Sequence, residues 1–261
     1  MRSACAVRSR RIASIALLLV AGVCRLHASP GPHVFDSNGV HISYTDEGRG
    51  EPVVLIHGLH SSGTFNWRAP GMIGRLTPHF RVITLDLRGH GRSDKPDRPD
   101  AYGVQLAEDV IRLLDHLHIR SAHVAGYSLG GIVVMRLLVT HPDRIRSALL
   151  GGMGWLSNGS ALQQTWRERP TRLQSTAMQA LIHSVGDLAV TEAQVKAIRV
   201  PVEVVAGDRD PVRKLYIEPL MAIRPDWPLV TIANAGHLNC VAKPQFLDAA
   251  DQWLRKNAGA H

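Results

Sequence analysis

From residue 40 onward the chain moves between two hydrophobic periods. Residues 40–46 alternate apolar and polar positions in steps of two, which predicts a half-exposed strand. Residues 52–57 (PVVLIH) and 81–87 (RVITLDL) are continuous apolar runs of strand length, as expected of strands buried on both faces. Residues 104–117 carry Val104, Ala107, Val110, Ile111, Leu114 and Leu117, a stripe at helical spacing. Residues 122–127 read as a strand that ends in a glycine-framed turn. Residues 129–139 are almost wholly apolar and predict a buried helix, stopped at His141-Pro142. Three more strands are expected at 147–151, 202–206 and 229–233, and a closing helix at 245–253. Strands alternating with helices predict the α/β class: a mostly parallel, doubly wound sheet covered on both faces.

One stretch breaks the rhythm. Residues 153–199 contain no strand-like run and predict two or three short helices. Their place between two strands of the pattern makes them a cap inserted over one end of the sheet, where ligands of such sheets bind; an ordinary long crossover is the competing reading. Gln163, Gln164, Arg167, Glu168, Arg169 and Arg172 are expected to interrupt the exposed face of this cap. Met153, Trp155 and Trp166 suit either an apolar pocket or packing between cap and sheet.

The first 28 residues have a different character. A basic start leads into an apolar stretch at 12–23 and a polar exit at Ser29-Pro30-Gly31-Pro32. About a dozen apolar residues are too few to span a hydrocarbon core of about 30 Å, but they have the proportions of a signal peptide. The expectation is a leader at 1–28, a single α/β domain at 29–261, and export to the periplasm or medium. An uncleaved anchor, the one route to a membrane, and a misplaced start are the alternatives. This leader also changes the charge. The chain holds 30 Lys+Arg against 22 Asp+Glu, a net +8, but five of the arginines lie in 1–28. Without them 25 face 22, a net +3, and no basic run interleaved with aromatics remains to track a phosphate backbone. Nucleic acid is therefore not an expected partner. Of the three cysteines, Cys5 and Cys24 fall in the leader. Cys240 is left without an intramolecular partner and reads as a small buried apolar residue.

The chemistry gathers at predicted strand ends. Gly126-Tyr127-Ser128-Leu129-Gly130 is G-x-S-x-G between a buried strand and a buried helix, the context that gives this motif meaning. A sharp turn lifts the Ser128 hydroxyl above the sheet. The flanking glycines remove side chains that would clash, and the helix that follows aims its first N–H groups at the same point. A serine nucleophile needs a base, and the base needs an orienting carboxylate. Asp210, in Gly207-Asp208-Arg209-Asp210-Pro211, follows the strand at 202–206; His237 follows the strand at 229–233. Asp208 competes with Asp210 as the acid but suits a turn-capping role. His57-Gly58-Leu59-His60 follows the first buried strand, so the Leu59 N–H and the Leu129 N–H are the candidate donors to an oxyanion.

These residues carry a resemblance. VLIHG (54–58), DLRGHGRSDKP (86–96), GYSLGG (126–131), VPVEVVAGDRDPV (200–212) and AGH (235–237), in this order, resemble the α/β-hydrolase superfamily in its small, short-capped serine hydrolases, over roughly residues 40–254. The resemblance implies a Ser128–Asp210–His237 triad, an oxyanion hole of Leu59 and Leu129 amides, and a structural role for Asp86, Arg88 and Asp94. Epoxide hydrolases and haloalkane dehalogenases of this superfamily carry Asp where Ser128 stands. No H-E-x-x-H, C-x-x-C, Walker or G-x-G-x-x-G motif is present, and no metal or other cofactor is expected. The expected function is hydrolysis of a carboxylic ester of a small molecule. The alternatives are lactone, C–C bond or perhydrolytic chemistry with the same triad, or a ligand-binding protein with slow turnover.

Overall fold

A computed structural model describes residues 31–169 and 171–259. The leader read at 1–28 lies outside the described residues. Within them, eight strands form one sheet: β1 (His33–Asp36), β2 (His41–Gly48), β3 (Glu51–Ile56), β4 (Phe80–Leu85), β5 (Ala122–Tyr127), β6 (Ile145–Gly151), β7 (Val202–Gly207) and β8 (Leu229–Ile232). Their spatial order is β1-β2-β4-β3-β5-β6-β7-β8. The β1–β2 and β2–β4 pairs are antiparallel and all the others parallel. The α-helices are α1 (Met72–Leu76), α2 (Gln105–His116), α3 (Leu129–Thr140), α4 (Ala161–Glu168), α5 (Thr176–Ser184), α6 (Glu192–Ala197), α7 (Glu218–Ile223) and α8 (Pro244–Asn257). None of the described helices is long and apolar enough to cross a membrane.

The continuous apolar strands are continuous because both sheet faces are covered. Along β3, Val54 and Ile56 face the layer that holds α2 and α3, while Val53 and Leu55 face the layer that holds α1 and α8. In β2, Ile42, Ser43 and Tyr44 are buried in succession, where alternation predicted a wet face. The polar Ser43 is covered by the loop after β4: its N–H donates to Ser93 Oγ at 2.9 Å, and its carbonyl accepts the Asp86 N–H at 2.9 Å. The four-residue β1 has no legible period and is held instead by Phe35, packed on Tyr44 and His116. Helical turns at Thr64–Arg68 and Arg213–Ile217 were also absent from the sequence reading.

The cap at 153–199 holds α4, α5 and α6, and α5 packs on the loop after β4. A Cβ on Gly89 would reach Leu181. A single parallel bridge, Ser157 to Val190, ties its two ends together, a pairing too short to show in the sequence. Gln163 departs from expectation. It is buried, donates to the Gly186 carbonyl at 2.7 Å and accepts the Gly159 N–H at 2.7 Å, so it stitches the cap internally. Gln164, Arg167, Glu168, Arg169 and Arg172 are exposed. Trp155 donates to the Val190 carbonyl at 2.8 Å, and Trp166 donates to Tyr216 Oη at 2.8 Å, so both serve to pack the cap.

The loop after β4 is fixed by a buried ion pair. Arg88 donates from Nε and Nη2 to Asp109 of α2 at 2.6 and 2.5 Å, Ser37 Oγ donates to the same carboxylate at 2.5 Å, and both charged side chains are almost wholly buried. Removing one member strands the other as an unpaired buried charge. Asp109→Ala is therefore expected to lower the unfolding free energy by roughly 3–5 kcal/mol, measured from denaturant midpoints. An unchanged midpoint would show that this loop is anchored by other contacts.

Candidate active site

Ser128 sits in the turn from β5 into α3 with φ 53 and ψ −116, a conformation that L-residues seldom adopt and that the surrounding contacts must hold. Its N–H donates to the Gly151 carbonyl of β6 at 2.9 Å, and its carbonyl accepts the Gly131 and Ile132 amides at 2.8 and 3.2 Å. Gly130 is required here, because a Cβ on it would collide with the Ile56 carbonyl at the end of β3. The serine is thus pressed up at the carboxyl ends of three neighbouring strands.

His237 follows β8 and Asp210 follows β7, as the sequence reading placed them. His237 Nε2 lies 2.8 Å from Ser128 Oγ, and Nδ1 lies 2.9 Å from Asp210 Oδ2. The Asp210 side chain is fully shielded, whereas His237 keeps 22% of its side chain open to solvent. The second Asp210 oxygen accepts the Val212 N–H at 3.0 Å, which fixes the plane of the carboxylate. With Asp210 as acceptor, Nδ1 carries the proton and Nε2 is free to accept from Ser128. Tyr127 donates its hydroxyl to the His237 carbonyl and so fixes the backbone beneath the imidazole. Burial raises the Tyr127 phenol well above its usual range, which keeps it a donor at any working pH.

Asp208 does not enter this row. It accepts the Ala235 N–H at 3.1 Å, and the Asn234 and Ala235 amides hold its carboxyl below the usual range. It shapes the turn that delivers His237. Cys240 is buried, and burial pushes its thiol up to about 11, so it stays protonated and unreactive. Asp86 likewise accepts the Gly63 and Arg92 amides at 2.9 Å each and organises its loop.

The turn at Leu59 lies against the serine: a Cβ on Gly58 would come within 3.2 Å of Ser128 Cβ. Gly58 N–H donates to Asn66 Oδ1 at 2.8 Å, and His60 N–H donates to His90 Nε2 at 3.2 Å. The Leu59 amide between them has no acceptor among the described residues, nor does the Leu129 amide at the start of α3. Asn66 was missed in the sequence reading, which placed His90 only in a structural loop beside the site. His90 is kept neutral, its pKa pushed down to about 3 by burial and by the neighbouring His57, so Nε2 remains an acceptor. His57 is wholly buried and also favours its neutral form; its Nδ1 faces the Gly58 carbonyl at 2.7 Å and its Nε2 accepts the Leu87 N–H at 3.0 Å. The H-G-x-H and R-G-H-G spacings were a visible signal for these histidines; nothing local marked Asn66. No cluster of three metal-ligating side chains occurs among the described residues.

Comparison with known proteins agrees with this architecture. RutD of Caulobacter segnis, provisionally named a carbamate hydrolase, is 35% identical over 135 residues, 51% of this chain and 49% of RutD. This chain thus spans about half the length of such relatives. The structure of a hydrolase from Pseudomonas aeruginosa PA01 superposes with a TM-score of 0.71 at 27% identity, covering 89% of this chain and 100% of that one. A carboxylesterase structure from Nitrososphaera gargenis shares the fold, with a TM-score of 0.71 at 21% identity over 88% of this chain and 100% of its own. A sequence model described as the alpha/beta hydrolase fold matches residues 51–185, slightly more than half of the chain, and so the protein belongs to the α/β hydrolase fold family.

Proposed function

We propose that this protein is a serine hydrolase that cleaves the carboxylic ester of a small substrate through an acyl-enzyme. The observation that carries the reading is the unbroken row Asp210–His237–Ser128 at 2.9 and 2.8 Å, set beside two backbone amides with no acceptor among the described residues. Ser128 Oγ attacks the carbonyl carbon while its proton passes to His237 Nε2, and Asp210 stabilises the imidazolium that results. The carbonyl oxygen, now an anion, accepts from the Leu59 and Leu129 N–H groups. Collapse breaks the ester C–O bond, and the leaving alkoxide takes the proton from His237. Water then gives its proton to His237 and attacks the acyl carbon, and Ser128 leaves with the proton restored. Backbone amides serve as donors without side-chain reorganisation, which is why the turn held by Asn66 and His90 matters to this reading.

The cap supports a small acyl group. It holds three short helices, and its outer surface carries Gln164, Arg167, Glu168, Arg169 and Arg172 instead of a continuous apolar face suited to an oil–water interface. Activity is expected on short-to-medium acyl esters of small or aromatic alcohols and to be poor on emulsified triglyceride. The test is kcat/KM across p-nitrophenyl acetate, butyrate, octanoate and palmitate, with a carbamate alongside because RutD is among the similar proteins. A rise through palmitate with activation at an interface would make the protein a lipase, and a preference for the carbamate would change the acyl class. The proposal also places the enzyme outside the cytoplasm, on the strength of residues 1–28 alone.

A further inference from the structure

The residue next to Ser128 reaches the loop that carries His237. Tyr127 closes β5, and its side chain is buried. Its ring centroid lies 5.6 Å from that of His237. The hydroxyl donates to the His237 carbonyl, and its oxygen also meets the Val241 amide and the Cys240 thiol. One side chain thus grips both ends of the turn at 237–241.

The other bonds of this loop do different work. Ala235 is held from β7: its carbonyl accepts the Arg209 N–H at 3.0 Å, and its N–H donates to Asp208 at 3.1 Å. Past that point, the Gly236 N–H donates to Asn239 Oδ1 at 2.8 Å and the Gly236 carbonyl accepts the Cys240 N–H at 3.1 Å. Both of these bonds stay inside the turn, so they shape it without setting its distance from Ser128. The Tyr127 hydroxyl joins the backbone of His237 itself to the residue beside Ser128.

The tyrosine is in turn seated by two glycines. Gly151 and Gly152 lie at the end of β6, and the Gly151 carbonyl also accepts the Ser128 N–H. A Cβ on Gly151 would come within 2.8 Å of Tyr127 Cδ2, and one on Gly152 within 2.9 Å of Cζ and 3.0 Å of Oη. Gly152 also has φ 56, a conformation that suits glycine. Phe246 of α8 meets the ring edge-on at 5.8 Å. Packing alone would be satisfied by phenylalanine. A buried hydroxyl is costly unless it is bonded, and here its bonds go to the loop of His237.

We infer that Tyr127 is a positioning residue: through its hydroxyl it holds the His237 loop where Nε2 meets Ser128 Oγ, and Gly152 leaves the space that keeps the hydroxyl in place. The inference rests on the serine hydrolase reading and adds to it the tie between Ser128 and its base.

The test compares Tyr127→Phe, Gly152→Ala and the double variant with the native enzyme. Tyr127→Phe keeps the ring in its seat and removes only the tie. It is expected to lower kcat for p-nitrophenyl butyrate by roughly 10–100-fold per folded molecule, the cost of a small misplacement of a reacting group. KM should change by less than about twofold. The rate of labelling by a fluorophosphonate, which also needs Ser128 and its base, should fall with kcat. Gly152→Ala displaces the hydroxyl and should show the same split. Added to Tyr127→Phe it should cost less than about threefold more, because no tie remains to displace. Should either single variant fail to fold, the other carries the test alone. A role in packing only would lower the denaturant midpoint and leave kcat and the labelling rate of the folded protein near native. That result, a loss confined to KM, or full additivity in the double variant would overturn the inference while leaving the hydrolase reading intact. A native protein that neither labels nor turns over esters would remove that reading, and this inference with it.

Discussion

Ser128→Ala is expected to lower kcat for p-nitrophenyl butyrate by about 10⁴–10⁶-fold while the protein stays folded. In the proposed mechanism the hydroxyl is the one group of the site that forms a bond to substrate. Its loss also frees His237 Nε2, now without a partner at 2.8 Å, but the His237 side chain is 22% open to solvent, so water can take the vacated place. The folding cost should therefore be that of one ordinary hydrogen bond, about 1 kcal/mol. The strained turn itself is set by backbone contacts to Gly151, Gly131 and Ile132, which the substitution leaves in place. A fluorophosphonate probe should label the native serine and leave the variant unlabelled. Retention of more than about a tenth of the native rate would remove Ser128 from the mechanism. Rapid labelling of the native protein with negligible turnover of every ester offered would favour the slow ligand-binding reading.

The parts of this site that were legible in the sequence share one property: each is marked by what surrounds it locally. Ser128 stands between a run of strand length and an apolar helix, and that change of period is the turn from β5 into α3 itself. Asp210 and His237 each follow a strand of the parallel set, and parallel strands bring their carboxyl ends to one edge whatever the residues between. The fold was legible for the same reason, since double burial writes itself into β3, β4 and β7 as mostly apolar runs. The unread features depend on distant contacts. Asn66 holds the Gly58 amide from eight residues away, and His90 holds the His60 amide from thirty; neither leaves a periodic trace. β1 is four residues long, too short for a period. Gln163 looked like surface because its burial depends on two backbone groups, at Gly159 and Gly186, that the cap brings to it.

The two aspartates after β7 separate a positioning role in the reaction from a role in the chain trace. Asp210→Asn keeps the size of the side chain but exchanges an acceptor for a donor. Facing an N–H₂ group, His237 Nδ1 becomes the acceptor, so Nε2 carries the proton and can no longer take one from Ser128. The expected loss in kcat is about 10³–10⁴-fold, with little change in KM, because the amides at Leu59 and Leu129 and the pocket walls are untouched. No neighbouring carboxylate can substitute. The strand β6 ends at Gly151, and no Asp or Glu occurs between Asp143 and Glu168, which lies on the exposed side of α4. Asp208→Asn acts elsewhere. The native carboxylate receives the Asn234 and Ala235 amides, and Ala235 is two residues before His237. An amide oxygen accepts these less strongly than a carboxylate, so the turn loosens, the denaturant midpoint falls, and kcat changes by less than about tenfold. Because the folded state holds the Asp208 carboxyl below its usual range, its contribution to stability is present above the unfolded pKa and fades as pH falls through the folded one. The stability gap between native protein and Asp208→Asn should therefore close in acid, whereas the kcat defect of Asp210→Asn should persist wherever the native enzyme is active. If Asp208→Asn proved the more damaging to kcat in a folded protein, the two roles would be exchanged and the 2.9 Å contact between His237 and Asp210 would not be the one that matters in turnover.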